Sequence, residues 1–120
     1  MGYAYGYGEI ITSDFKIVNT LGEEINSPVV EQQLNLQTSL TNVSGQKIDW
    51  VYIVQIADAN GAVVDLNFST GSLVKNQTLT TALFWTPYNY GTYKIETYVW
   101  NNLKDIDALS PMATFTITVT

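Results

Sequence analysis

The sequence predicts an all-β protein: an antiparallel β-sandwich of about seven strands in Greek-key order, closed without a disulfide. Three observations carry this. Apolar residues recur at period two in segment after segment, and no window sustains the 3.6-residue period of a helix. Turn formers punctuate the chain every 8–12 residues or roughly so. The length, 120 residues, suits one domain around one hydrophobic core.

The elements follow in order. Ile10 to Asn19 reads as the first strand, ended by the turn Leu21-Gly22-Glu23. Leu34, Leu36, Thr38 and Leu40 alternate with Asn35, Gln37 and Ser39, the pattern of a half-buried strand. It stops at Asn42-Val43-Ser44-Gly45, a run of turn formers. Asp49 to Asp58 is β-branched and aromatic, and Asp58-Ala59-Asn60-Gly61 is a hairpin signal because Asn and Gly tolerate positive φ. Ala62 to Phe68 returns. Leu73-Val74 and Leu79 to Trp85 flank a polar turn at Lys75-Asn76-Gln77, and Thr86-Pro87 ends that stretch. Tyr93 to Trp100 and Ala113 to Val119 complete the set. Residues 1–12 form a Tyr/Gly-rich N-terminal extension and residues 13–120 the sandwich domain. Tyr3, Tyr5 and Tyr7 are two apart, so in an extended chain they share a face. The extension is either a lead-in or a strand that docks on a neighbouring molecule.

Composition excludes whole classes of chemistry. Five basic residues, all lysine, stand against eleven acidic ones, for a net charge of −6. That surface does not suit nucleic acid. With neither His nor Cys, thiol chemistry, haem ligation, zinc sites and His-based triads are ruled out. Charged residues make up 13%, about half the usual share, and Thr, Ser, Asn and Gln supply polarity instead. This composition suits a secreted β-protein. Residues 1–12 carry no positive charge and no apolar run, so no signal peptide is expected and the chain reads as a mature form or an excised piece. The longest near-apolar run, Trp50 to Ile56, falls far short of a membrane helix.

Asn89-Tyr90-Gly91-Thr92-Tyr93-Lys94-Ile95 resembles the immunoglobulin D-x-G-x-Y-x-C run, with Asn for Asp and Ile for Cys. The stretch from Val51 to Val64, with Trp85-Thr86-Pro87 and Gly91-Thr92-Tyr93, is similar to Ig-like or CARDB-like domains of archaeal surface and S-layer-type proteins. The resemblance covers residues from about 14 to 120. It implies an immunoglobulin-like sandwich with Gly91, Tyr93, Ile95 and Trp85 as its fold-defining residues. Tyr93 would be the tyrosine-corner residue, its hydroxyl bonded back to main chain. Extracellular scaffolding or adhesion is implied too, with no catalytic residues to carry over.

If Tyr93 points inward, Ile95, Thr97 and Val99 follow, and Lys94, Glu96, Tyr98 and Trp100 face out. Gln55 sets the phase of its own strand: Tyr52, Val54 and Ile56 in, Val51 and Ile53 out. Phe115, Ile117 and Val119 belong to the core, and the threonines between them to the surface. Val51, Ile53, Tyr98 and Trp100 should then share one outer face, more large apolar groups than scattered surface residues require. Residues 2–12 or a partner would cover them, so Tyr3, Tyr5 and Tyr7 join them as candidate interaction residues.

Three N-glycosylation sequons start at Asn42, Asn67 and Asn76, and Asn42 and Asn76 fall in expected turns. The acidic pairs Asp105/Asp107 and Asp58/Asn60 offer too few oxygens for calcium, so neither metal nor cofactor is expected. No carboxylate pair or Ser–Lys arrangement marks a catalytic site. Tyr88, Tyr90 and Trp100 could stack on sugar rings. The expected function is a non-enzymatic extracellular structural or adhesion module of a cell-surface protein, layer or filament, acting through β-sandwich packing and strand addition; the alternative is a carbohydrate-binding module. Expected partners are protein, including copies of the chain itself, or glycan; nucleic acid and membrane insertion are not expected. The Tyr/Gly lead-in with Glu9 to Thr20 is the segment expected to be donated.

Overall fold

The computed structural model describes residues 8–102, 104 and 108–120. Its strands are β1 (Ile10–Val18), β2 (Leu34–Asn42), β3 (Ile48–Ala57), β4 (Val63–Leu73), β5 (Thr78–Trp85), β6 (Gly91–Trp100) and β7 (Ala108–Val119). They form a three-stranded sheet, β1-β2-β5, packed on a four-stranded sheet, β4-β3-β6-β7. Every pairing is antiparallel. The chain crosses between sheets after β2, β4 and β5, which is the Greek-key connectivity.

Alternation builds the core. Leu34, Leu36 and Leu40 of β2 face Tyr52, Val54 and Ile56 of β3, and Tyr93, Ile95 and Val99 of β6 complete the layer. All are buried, in the phase the sequence implies. Val119 is buried, while Phe115 and Ile117 pack against the core from its margin. The Phe115 ring stacks on Phe15 of β1, centroids 3.8 Å apart, and so bridges the two sheets at one side.

The residues implied by the immunoglobulin resemblance occupy the expected geometry. Gly91 opens β6 at φ 146°, a conformation an L side chain resists. The Tyr93 hydroxyl donates to the Asn89 carbonyl at 2.6 Å, the tyrosine-corner bond. Its ring meets Trp85 edge-on, centroids 5.0 Å apart. Ile95 lies where an immunoglobulin would place a cysteine, and it is fully buried.

Three boundaries differ from expectation. The stretches expected at Ala62–Phe68 and Leu73-Val74 are joined in one strand, β4, which runs from Val63 to Leu73 through Ser69-Thr70-Gly71-Ser72. Those residues read as a break, but β3 supplies a full ladder of partners and Gly71 lies against the Trp50 ring. A Cβ at 71 would sit 2.6 Å from Trp50 Cζ2, so the small residue is a packing requirement. β7 begins at Ala108, earlier than Ala113, because it is bent by register shifts opposite Thr97–Trp100. Asn42 ends β2 and is not a turn residue.

Candidate functional site

The two outer faces differ in chemistry. On the three-stranded sheet Asn35, Gln37, Ser39 and Thr41 point outward, and hydroxyl pairs Ser39–Thr80 (3.1 Å) and Thr41–Thr78 (2.9 Å) tie β2 to β5. That face is largely polar, with Ile11 beside Thr41 and Phe84 beside Asn35 as its exposed apolar side chains. The four-stranded sheet is different. Its register aligns Thr70, Val51 and Trp100 in one outward row, and Phe68, Ile53 and Tyr98 in the next. Leu66, Gln55 and Glu96 form the row below.

Within this surface Leu66 is 61% and Phe68 50% exposed. Tyr98 and Trp100 are half-buried, with ring centroids 5.6 Å apart. The sequence expectation that Val51 and Ile53 are exposed is corrected: they are 4% and 6% exposed. The phase is right, since both alternate with inward Tyr52 and Val54. Their cross-strand neighbours on the same face are the large rings of Trp100, Tyr98 and Phe68, close enough to lean over shorter β-branched side chains. The accessible apolar surface is therefore Leu66, Phe68, Tyr98 and Trp100, with Val51 and Ile53 as its floor.

Leu66 and Phe68 were not singled out in the sequence, where the stretch Ala62 to Phe68 was given no inward or outward phase. Their register neighbours are the outward Gln55 and Ile53, whereas Asp65 and Asn67 align with the inward Ile56 and Val54. The signal was present. The Asp58–Gly61 turn closes with bonds from Asp58 N to Ala62 O (2.9 Å) and Gly61 N to Asp58 O (3.0 Å). Counting back from that hairpin, with the bulge beside Ala57, puts Leu66 opposite Gln55.

Polar groups frame the patch. Gln55 Nε2 donates to Glu96 Oε1 at 3.2 Å, and Lys94 Nζ lies 3.9 Å from Glu96 Oε2. Desolvation raises the Tyr98 phenol above its ordinary value, and the Glu96 carboxylate, its repulsive and hydrogen-bonded neighbour, raises it further. Burial also lifts the Asp65 carboxyl, partly offset by a bond from the Leu66 amide.

The remaining candidates are scattered. The amide of Asn42 is completely buried, and its Nδ2 donates to the carbonyls of Gln46 (2.7 Å), Leu73 (3.0 Å) and Val74 (3.2 Å). The expected turn with room for a glycan is therefore absent at this sequon. A glycan on that nitrogen would break the lock that joins β2 to the β4–β5 turn. Asn67 and Asn76 are exposed. Tyr88 and Tyr90 are exposed in the loop before β6, on a different part of the molecule from Trp100. Tyr90 borders a hollow of about 300 Å³ lined also by Asp58, Asn60 and Asn89. Tyr3, Tyr5, Tyr7, Asp105 and Asp107 lie outside the described residues. Among the described residues no three His, Cys, Asp or Glu side chains gather as metal ligands, and no helix is long and apolar enough to cross a membrane.

No protein-family model matches the chain, and no curated protein matches it in sequence. Solved structures do match. The C-terminal domain of Wzt superposes with a TM-score of 0.79 and 14% identity, over 97% of this chain and 76% of that one. A CARDB domain from Pyrococcus furiosus, solved in complex with di-metal ions, gives 0.65 and 19%, covering 96% of each chain. A β-glucosidase from Listeria innocua gives 0.63 and 16%, but only 17% of that chain is covered. The fold class is thus an immunoglobulin-like β-sandwich. Within that class the chain shares its fold with CARDB domains, as the sequence resemblance implied, and with the Wzt C-terminal domain, which the sequence did not suggest.

Proposed function

We propose that this chain is a non-enzymatic extracellular module of a cell-surface protein, layer or filament, and that it works through protein contacts, including contacts with copies of itself. One observation carries the reading: a contiguous apolar cluster on the outer face of the four-stranded sheet, where Leu66, Phe68, Tyr98 and Trp100 lie in neighbouring register rows, whereas Ile11 and Phe84 stand at opposite ends of the otherwise hydroxyl- and amide-rich face of the other sheet. A sandwich needs no exposed Leu66 and Phe68 beside two more aromatic rings for its own stability. The low share of charge and the likeness to CARDB domains support a module of this kind.

The test is light scattering on the purified chain beside Phe68→Asp and Trp100→Asp. Assembly lost with an unchanged circular dichroism spectrum supports a contact role. A wild-type chain that stays monomeric at high concentration and captures no partner overturns it.

A carbohydrate-binding reading is favoured by one feature, the exposed Tyr90 ring beside Asp58, Asn60 and Asn89. Aromatic stacking with polar groups around the ring is the arrangement sugars require. Glycan-array binding abolished by Tyr90→Ala supports it, and no binding by the wild type rejects it.

A further inference from the structure

The sandwich has edge strands on both flanks. On one flank β1 and β7 border a groove, two hollows of about 320 and 480 Å³ that share Thr12 and Ala113, and among the described residues no ladder joins the two strands. Both edges are guarded. Pairing of β1 shifts between Ser13 and Lys16, with Asp14 at φ 55°, and the Asp14 and Lys16 side chains are exposed. β7 carries Pro111 and shifts register around it. Charge, proline and bulges are the devices that keep an edge from taking another strand. The other flank is different. From Leu66 to Leu73, β4 has no charge, no proline and no register shift. β5 lies beside it, with the Thr81 hydroxyl 2.9 Å from that of Ser69.

The β3–β4 hairpin decides which main-chain groups of β4 face the open edge. The Asp58 amide donates to the Ala62 carbonyl at 2.9 Å, so the even-numbered residues of β3 present their main chain to β4. Their partners Asp65, Asn67, Ser69 and Gly71 take those bonds. Leu66, Phe68, Thr70 and Ser72 therefore turn N–H and C=O outward along the edge. The Phe68 amide donates to the side-chain oxygen of Asn67 at 2.9 Å, and the Leu66 amide to the Asp65 carboxylate, local substitutes for a missing strand. Leu66 and Phe68 are exposed on the outer face because β4 has a sheet neighbour on one side only.

We propose that a second copy of the chain supplies the missing neighbour, β4 lying antiparallel against β4. The proposal rests on the self-contact reading above and names its surface. The register that overlaps all eleven residues of β4 puts Phe68 on a two-fold axis, opposite Phe68 of the second copy. Leu66 then faces Thr70, Asn67 faces Ser69 and Asp65 faces Gly71. Each edge-facing residue meets another edge-facing residue, as antiparallel pairing requires. Main-chain hydrogen bonds supply the affinity, and Leu66 and Phe68 gain cross-strand partners on their own face. Charge favours a copy of the chain as the occupant. Two chains of net charge −6 repel each other, and this edge joins them where each carries a single carboxylate, Asp65. The two Asp65 side chains lie about 20 Å apart along the ladder, beyond the screening length of about 8 Å at physiological salt. The two four-stranded sheets become one sheet that ends on both sides in the guarded β7, so the contact closes at two copies.

The chain has no cysteine, so introduced thiols report the neighbours without background. Cross-strand partners have Cβ atoms about 5 Å apart, close enough for a disulfide. On mild oxidation Phe68→Cys should give a disulfide-linked dimer, and a mixture of Asn67→Cys with Ser69→Cys should give the mixed dimer. Asn67 and Ser69 share the inward phase of β4, aligned with Val54 and Tyr52, so a face-to-face contact leaves them apart. Asn67→Lys places an inward-pointing charge on the edge. It should be a folded monomer by circular dichroism and light scattering at concentrations where the wild type is a dimer. A folded Asn67→Lys that still dimerises, or a dimer that forms no disulfide between positions 67 and 69, overturns the edge contact and leaves self-association standing. Loss of association in Trp100→Asp but not in Asn67→Lys also overturns it, in favour of the outer face. A wild-type chain that stays monomeric at high concentration overturns the proposal, and if it captures no partner either, the reading above falls with it.

Discussion

Two hydroxyls meet in the middle of the core. Tyr52 is fully buried, and its hydroxyl lies 2.8 Å from that of Thr38, itself buried on β2. Each satisfies the other across the two sheets. Tyr52→Phe removes one hydrogen bond and orphans the Thr38 hydroxyl; Thr38→Val does the reverse. A buried hydrogen bond contributes about 1 kcal/mol net, and an orphaned partner adds a cost of about the same size or more. Each single substitution should therefore destabilise by about 1–2 kcal/mol, lowering Tm by about 3–8 °C in a domain of this size. The double variant leaves no orphan, so its loss should be smaller than the sum by about 1–2 kcal/mol. Urea unfolding of all four proteins, followed by circular dichroism, measures this coupling. Alkaline pH gives a second readout. Burial raises the Tyr52 phenol above its ordinary value of 10.0, outweighing the opposing bond to Thr38. The unfolded chain thus loses the proton at a pH where the folded one keeps it. Stability from this source is complete below pH 10 and is lost as pH rises beyond it, and Tyr52→Phe should flatten that limb. Additive single effects, within about 0.4 kcal/mol, would refute the idea that the two hydroxyls satisfy each other.

Other outcomes follow from the same packing. Gly71→Ala should cost about 1–3 kcal/mol, because its Cβ would press on the buried Trp50 ring; native-like stability in urea would show that the ring has room to move. Asn42→Ala should destabilise by about 2 kcal/mol or more by freeing three carbonyls, and intact-mass analysis of glycosylated material should find no sugar at Asn42. Asp65→Asn should stabilise at neutral pH. The Asp65 carboxyl is raised by burial, so its ionised form carries a cost that is absent below the ordinary value of 3.8 and grows as pH rises through it. Thermal unfolding at pH 3 and pH 7 should show the advantage only at the higher pH.

Phase and turns were legible because they are local. Alternation from Tyr93 to Val99 and from Leu34 to Leu40 named the buried residues, and Asn60-Gly61 named the hairpin. The tyrosine corner was legible because its bond spans only four residues, Asn89 to Tyr93. β4 was not, since its polar inner side makes sense only beside an edge. The same is true of Asn42: a turn-forming residue by type, it is held in place by carbonyls from as far along the chain as Val74.

The order of apolar and polar residues by itself decided that this chain is a β-sandwich with one core and no His or Cys chemistry, because a period-two pattern has a single way to hide its greasy side. Which residues remain on the surface was decided only by the tertiary structure. Val51 is covered and Phe68 is left open by neighbours from other strands, and the β1/β7 groove exists because two edges that are distant in sequence fail to pair.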